Sequence, residues 1–168
     1  MANIDDYKDA MDRFSYDPLD GLVRHLMPYG NRLIGDIAGS NNGGYVQLRS
    51  GLIRMQAHRF AFYAMEGYLP DCIDHINGVR HDNRWLNIRG CTNAENGRNR
   101  GISSNNTSGY RGVSGIGNKW RGAVTLNGKS HVRIGFKSPE KANEWVVNKS
   151  KELYGEFYNE EVAKEVIR

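Results

Sequence analysis

The reading of this chain turns on one stretch, Asp74-His75-Ile76-Asn77-Gly78-Val79-Arg80-His81-Asp82-Asn83-Arg84-Trp85-Leu86-Asn87-Ile88-Arg89-Gly90-Cys91-Thr92-Asn93-Ala94-Glu95-Asn96. Its composition predicts a hairpin with a turn near Asn77 to Asn83, followed by a helix from about Asn93. A carboxylate and an imidazole stand side by side where the turn begins. Asn87 lies on the return strand, and Asn96 lies one turn into the helix. This set can build a one-metal phosphodiesterase site. Asp74 and Asn96 offer hard oxygen ligands suited to Mg²⁺, which keeps several waters and accepts substrate phosphate oxygens. His75, neutral near pH 7, can take a proton from an attacking water. A metal there neutralises the phosphorane and the departing 3′ oxygen. Asn87 can hold either the imidazole or the hairpin loop. Geometry adds a condition. Neighbouring strand residues point to opposite faces, so the strand must end or distort at Asp74-His75 if both are to serve one site. Without that chemistry the same residues form a polar hairpin with satisfied turn hydrogen bonds.

Charge is distributed unevenly around this stretch. The 168 residues carry a net +4. Nine basic residues and only Glu95 among the acids lie between Leu86 and Lys137, a net of +8, while the flanks are each −2. The basic residues are Arg89, Arg98, Arg100, Arg111, Lys119, Arg121, Lys129, Arg133 and Lys137, interleaved with Tyr110, Trp120 and Phe136. Such a block is expected of a surface that meets phosphates. Arg98 and Arg100 also suit the C-terminal end of a helix. The longest apolar run, Phe60 to Met65, is far short of the ~20 residues of a membrane span. Met1 to Met11 carries Asp5, Asp6 and Asp9, so a secretory signal is not expected there. Cys72 and Cys91 include no C-x-x-C pair, so no structural zinc framework is expected. Two reduced thiols are the expectation, with a single disulfide as the alternative.

Upstream, short strand-like runs alternate with turns: Phe14-Ser15-Tyr16, Leu22 to Leu26, and Tyr45 to Leu48 after Asn41-Asn42-Gly43-Gly44. From Met55 the spacing becomes helical and ends near Gly67. His58 on that helix is expected to be structural and bonded to backbone, with support of the site as the sharper alternative. Downstream, Ile102 to Gly109 has the composition of a linker. Three strands are predicted over Tyr110–Ser114, Lys119–Leu126 and Ser130–Phe136. A helix opened by Ser138-Pro139 follows. Val124 and Leu126 must share a core face with Val132, Ile134 and Phe136 if all are to be buried. A two-residue Asn127-Gly128 turn would part those sets. The expectation is therefore an odd-length loop with a left-handed Gly128 in a bulge. Arg121, Thr125, His131 and Arg133 would then lie together on the other face.

The run Asp74 to Asn99 closely resembles the HNH endonucleases of phage and intron-borne homing elements, and His58-Arg59-Phe60-Ala61 is similar to the helix preceding the motif in that family. The resemblance implies a ββα-metal fold and cleavage of DNA phosphodiesters with a divalent cation, Mg²⁺ or Mn²⁺. It implies His75 as general base, Asp74 and Asn96 as metal ligands, and Asn87 as the middle Asn. Asn96 stands where the family name expects a third His, as in the homing branch, and makes zinc less suited. Tyr110-Arg111-Gly112-Val113, Lys119-Trp120-Arg121 and Ile134-Gly135-Phe136 resemble the plant ethylene-response-factor-type DNA-binding domain, three antiparallel strands on one helix. This second resemblance carries DNA contact to Arg111, Arg121 and Arg133.

The expectation is an α+β protein in four parts: a strand-rich segment 1–53, a ββα-metal nuclease module 54–101, a linker 102–109, and a DNA-binding domain 110–168. DNA contacts are expected from Arg89, Arg98, Arg100, Arg111, Lys119, Arg121, Lys129 and Arg133, with double-stranded DNA as partner. The expected protein is a soluble intracellular one of phage type acting in the host cytoplasm, a monomer or homodimer without a small-molecule cofactor. The competing reading is a DNA-binding regulator with an inactive HNH module.

Overall fold

A computed structural model describes residues 2–97, 102–160 and the backbone of 166–167. It divides into two compact units, Met1–Thr92 and Asn93–Arg168. Both mix helix with antiparallel sheet, the α+β class expected.

The first unit opens with α1, Ile4–Met11, which the sequence reading did not anticipate. Its cap is reciprocal. The Asp6 N–H donates to the Asn3 side chain at 3.0 Å, and the Asn3 N–H donates to the Asp6 carboxylate at 2.6 Å. Two turns leave too few positions for a helical period to show, so the helix depends on that cap and on burying Tyr7 and Ala10. Strands β1 (Phe14–Tyr16) and β2 (Val23–His25) pair antiparallel. Strands β3 (Ser40–Asn42), β4 (Tyr45–Ser50) and β5 (Ile53–Gln56) form a second sheet in that order. Helix α2, Ala57–Glu66, follows β5 directly, and Gly67 stops it in the left-handed region at φ 73°. Met55, expected to start the helix, is instead a buried strand residue.

Helix α2 has two apolar faces. Ala57 and Phe60 share a core with Tyr7, Phe14, Val23, Leu48 and Met55, so residues on both sides of position 54 build one interior. Ala61 and Phe62 pack on Ile73 and Ile88, the inward residues of the hairpin formed by β6 (Cys72–His75) and β7 (Ile88–Cys91). Fully burying a side chain such as Phe60 or Leu48 contributes about 2–3 kcal/mol. The helix is therefore the scaffold against which the hairpin is seated.

The second unit contains α3 (Asn93–Asn96), β8 (Ile102–Ser103), β9 (Val113–Ile116), β10 (Lys119–Leu126), β11 (Lys129–Phe136), α4 (Pro139–Tyr154) and β12 (Val166–Ile167). Strand β12 runs parallel to β8, and the larger sheet has the order β11-β10-β9. Ser138 caps α4 by accepting from the Lys141 N–H at 3.4 Å, with Pro139 in the first turn and Gly155 at the stop. Val113 and Val124 from the sheet form one buried cluster with Ala142 and Val146 of α4, and Trp120, Phe136 and Trp145 pack around it. Gly122 lies beneath that helix. A Cβ there would meet Trp145 at 2.8 Å, which excludes any larger residue from mid-strand.

The β10–β11 hairpin corrects the sequence reading. Leu126 pairs with Lys129 across a two-residue turn in which Asn127 and Gly128 both have positive φ, 50° and 77°. Val124 opposes His131, so the two apolar sets do lie on opposite faces. Val132 and Ile134 are left 43% and 59% exposed beside Arg121 and Thr125, while His131 and Arg133 share the face of Val124. The irregularity sits at the other end. The register skips Gly135 (φ 97°), which returns Phe136 to the face of Trp120. The Asn-Gly preference for the mirror-image turn outweighed the burial of two aliphatic side chains.

Candidate active site

Strands β6 and β7 pair antiparallel with Cys72 opposite Cys91, Asp74 opposite Arg89, and His75 opposite Ile88. The ladder ends just beyond His75, where the Ile76 N–H donates to the Asn87 carbonyl and the Gly78 N–H turns back to the His75 carbonyl, both at 2.8 Å. His75 lies on the α2 side with Ile73, and Asp74 on the other. The strand thus ends at the pair, the condition set by alternation.

The loop between the strands is held by side chains. The Asn87 Oδ1 accepts from the Asn77 N–H at 3.0 Å, and its Nδ2 donates to the Asp82 carbonyl at 2.7 Å. Of the two partners open to Asn87, its amide takes the loop. The Asn77 Nδ2 donates to Asp82 at 2.8 Å, and Arg84 holds both oxygens of the same carboxylate at 2.8 and 2.6 Å. Those bonds from Arg84, foremost, pull the Asp82 carboxyl down to about 2. A 3₁₀ turn, Trp85–Asn87, delivers Asn87 to this position, and the Trp85 N–H donates to the Pro18 carbonyl at 3.0 Å.

His75 is 5% exposed. Its Nε2 lies 3.1 Å from the Oδ1 of Asn83, itself 3% exposed. An amide oxygen only accepts, so Nε2 carries the hydrogen and Nδ1 becomes the basic nitrogen. The Tyr16 hydroxyl fixes Asn83 from behind by donating to its carbonyl at 2.7 Å. Burial lowers the His75 pKa from its ordinary value, and the Asn83 bond and the nearby Asp74 and Asp82 oppose that only in part. The ring is neutral at pH 7, as a base requires. Asn83 is the residue of this buried cluster that the sequence reading does not single out. It is one of several Asn in a turn, and nothing local marks it as the one that is buried.

Asp74 is buried and ion-paired. Arg89 reaches its Oδ2 through Nη2 at 2.8 Å and Nε at 3.1 Å. Arg89, expected on DNA, is thus placed on the carboxylate expected to hold metal. His58 packs edge-on to His75 with ring centroids 5.1 Å apart, and Tyr45 lies against both rings. The backbone bond expected of His58 is not made at Nδ1, which is buried without a partner, and burial lowers its pKa to about 3.

The HNH endonuclease family matches residues 55–98, from the end of β5 through the hairpin and α3. The chain is 34% identical over 107 residues to the uncharacterized HNH endonuclease L560 of Acanthamoeba polyphaga mimivirus, covering 62% of this chain and 56% of that one. It is 35% identical over 106 residues to protein 3.8 of Escherichia phage T7, covering 60% of this chain and 85% of that one. The chain carries an HNH endonuclease family domain. It spans little more than half the length of the mimivirus relative, and no solved structure matches it.

The other residues expected at the site or on DNA all fall beyond Thr92, in the second unit. Asn96 closes α3 and belongs to the second unit. Arg98 and Arg100 lie outside the described residues. In the second unit Arg111 donates to the Gly97 carbonyl at 2.9 Å, Arg133 lies 5.3 Å over the Phe136 ring, Lys119 and Lys129 are exposed, and Arg121 is half-buried. Among the described residues no three His, Cys, Asp or Glu side chains cluster as a metal cage. Mg²⁺ needs no such cage, since one or two protein oxygens with waters and phosphate oxygens suffice. Asp74 with one amide oxygen suits that ion and fits zinc poorly. No helix among the described residues is long and apolar enough to cross a membrane.

Proposed function

We propose that this chain is a divalent-metal-dependent DNA endonuclease that nicks or cuts double-stranded DNA at a preferred site. The observation that carries the reading is the buried His75–Asn83 pair at the end of a hairpin whose loop is locked by Asn87. Nothing in the fold's stability calls for a buried neutral imidazole with a prescribed tautomer, whereas general-base catalysis does. In this reading Nδ1 of His75 takes the proton of the attacking water, and Asn83 holds the ring so that its other nitrogen cannot serve. Asn87 positions the loop. Asp74 and Asn96 would hold Mg²⁺ or Mn²⁺, which would supply positive charge against that developing on the phosphate and the leaving oxygen. Arg89 orients the Asp74 carboxylate through its two bonds to Oδ2. The products carry 5′-phosphate and 3′-hydroxyl ends. The β9–β11 sheet with α4 supplies further DNA affinity through Lys119, Arg121 and their basic neighbours, raising the local concentration of target at the cutter.

The test is incubation with supercoiled plasmid and with phage genomic DNA in Mg²⁺ or Mn²⁺, beside His75→Ala. Nicked or linear product from the parent, lost in the variant, is expected. No product on either DNA sinks the nuclease reading. A His75→Ala chain that cuts at the parental rate retains the activity and removes the base assignment.

A further inference from the structure

The bond to Asn83 fixes the His75 ring at one atom, with Nε2 3.1 Å from Oδ1. The terminal torsion of a histidine is broad, so rotamer preference does not set the plane of the ring. One hydrogen bond leaves the imidazole able to swing about that contact, and the swing carries Nδ1 away from any fixed direction. Packing must supply the remaining constraint.

Two rings are placed to do so. His58, in the first turn of α2, stands edge-on to His75 at 76°, with centroids 5.1 Å apart. Tyr45 lies at 52° to His75 and 45° to His58, with centroids 6.1 and 5.4 Å away. All three separations fall within the ~4.5–7 Å over which aromatic rings hold preferred mutual orientations. Fold stability does not call for a histidine at 58. A buried ring nitrogen without a partner costs free energy, and Nδ1 of His58 is such a nitrogen.

Tyr45 is anchored in turn from the hairpin loop. The Arg80 guanidinium lies over its ring, 5.2 Å from the centroid, within cation–π reach. Arg80 also donates to the Gly43 carbonyl at 3.4 Å. Gly43 and Gly44, at φ 61° and 86°, make the turn that delivers Tyr45 to this place. Among the described residues the Tyr45 hydroxyl enters no hydrogen bond, so its contribution here is the ring. Tyr45 also stands outside the stretch 55–98 that matches the family.

We propose that Tyr45, held in place by Arg80, is a positioning residue that acts with His58 to fix the ring plane of His75, and so the direction in which Nδ1 faces. The catalytic consequence rests on the nuclease reading above, whereas the placement of the ring does not.

The test compares Tyr45→Phe, Tyr45→Leu and Arg80→Ala in the full chain. Imidazole ¹⁵N NMR without DNA or metal should show His75 of the parent as a single Nε2-protonated tautomer. Tyr45→Phe should keep that signature. Tyr45→Leu should broaden it or shift it toward a mixture of tautomers, and Arg80→Ala should do so to a smaller extent. On supercoiled plasmid in Mg²⁺, Tyr45→Leu is expected to lower kcat about 10- to 100-fold with KM unchanged. Tyr45→Phe should retain the parental kcat. A Tyr45→Leu chain with the parental signature and kcat would overturn the proposal. Equal losses in the Phe and Leu variants would overturn it by assigning the effect to the hydroxyl, and a raised KM with unchanged kcat would make Tyr45 a substrate contact instead. Should Tyr45→Leu fail to fold, Arg80→Ala decides, because that side chain is exposed; a parental signature there would overturn the proposal. A parent that cuts no DNA takes down the nuclease reading, and the NMR arm then decides the ring placement by itself.

Discussion

Two hairpins in this chain are built on opposite plans. In β6–β7 the loop 76–87 is long, and side chains buried or half-buried within it decide its shape: Asn87 to the Asn77 N–H and the Asp82 carbonyl, Asn77 to Asp82, and His75 to Asn83. In β10–β11 the turn is two residues, and backbone torsions at Asn127 and Gly128 decide everything. The first plan places polar groups where water cannot replace their partners, so each bond is consequential. The second leaves its outward side chains in solvent, where substitution changes contacts and not structure. A hairpin of the first kind can hold a reacting group. One of the second kind presents a surface.

The largest effect should separate the two at the level of chemistry. Replacing His75 by Ala should lower plasmid cleavage by about 10²–10⁴-fold, the usual contribution of a general base. His131→Ala in the other hairpin should leave the rate within error. Equal losses would mean that His75 acts on binding and not on the proton. Next comes Asn87→Ala, which strips partners from the Asn77 N–H and the Asp82 carbonyl at once. Urea unfolding should show about 2–3 kcal/mol of lost stability. A loss below ~0.5 kcal/mol would place the loop's order elsewhere.

Acid should also act on His75 of the first hairpin and on His58, which packs against it from α2. His58 and His75 are neutral when folded because burial lowers both pKa values, His58 to about 3. Once unfolded, each takes a proton near pH 6.5. The unfolded state therefore binds more protons below pH 6.5, and stability is full above that value. It falls as pH drops from 6.5 toward 3, by up to ~1.4 kcal/mol per pH unit for His58 alone. Denaturation at pH 7, 5.5 and 4 should show this slope, and His58→Gln should flatten it. A slope unchanged by that substitution would assign the acid sensitivity to other groups. The smallest effect is Gly128→Ala, which forces a Cβ into the left-handed region at φ 77° and should cost about 1 kcal/mol. If it costs nothing, the two-residue turn is not what sets the register.

Much of this architecture was legible in residue types. The β6–β7 turn showed in its Asn, Asp and Gly, α4 in Ser138-Pro139, and the end of α2 in Gly67. Helix α1 was not, because two turns give no period and its Asn3–Asp6 cap is a short signal. The candidate site was half legible. Asp74, His75 and Asn87 stood out by chemistry and spacing, but Asn83 did not, since its importance comes from being buried against His75. The β10–β11 register was misread because apolar alternation was weighed above turn chemistry.

The order of donors and acceptors along residues 74–96, the basic block beyond Leu86 and the helix-capping residues are local properties, written in residue type and spacing. Which nitrogen of His75 is basic and which partner Asp74 takes depend on strand pairing and burial. Those bring residues such as Tyr16 and Asn83, or Tyr45 and His75, together across distances in the chain that no spacing rule spans. Packing decided them because a buried polar group must find its partner wherever the fold supplies one.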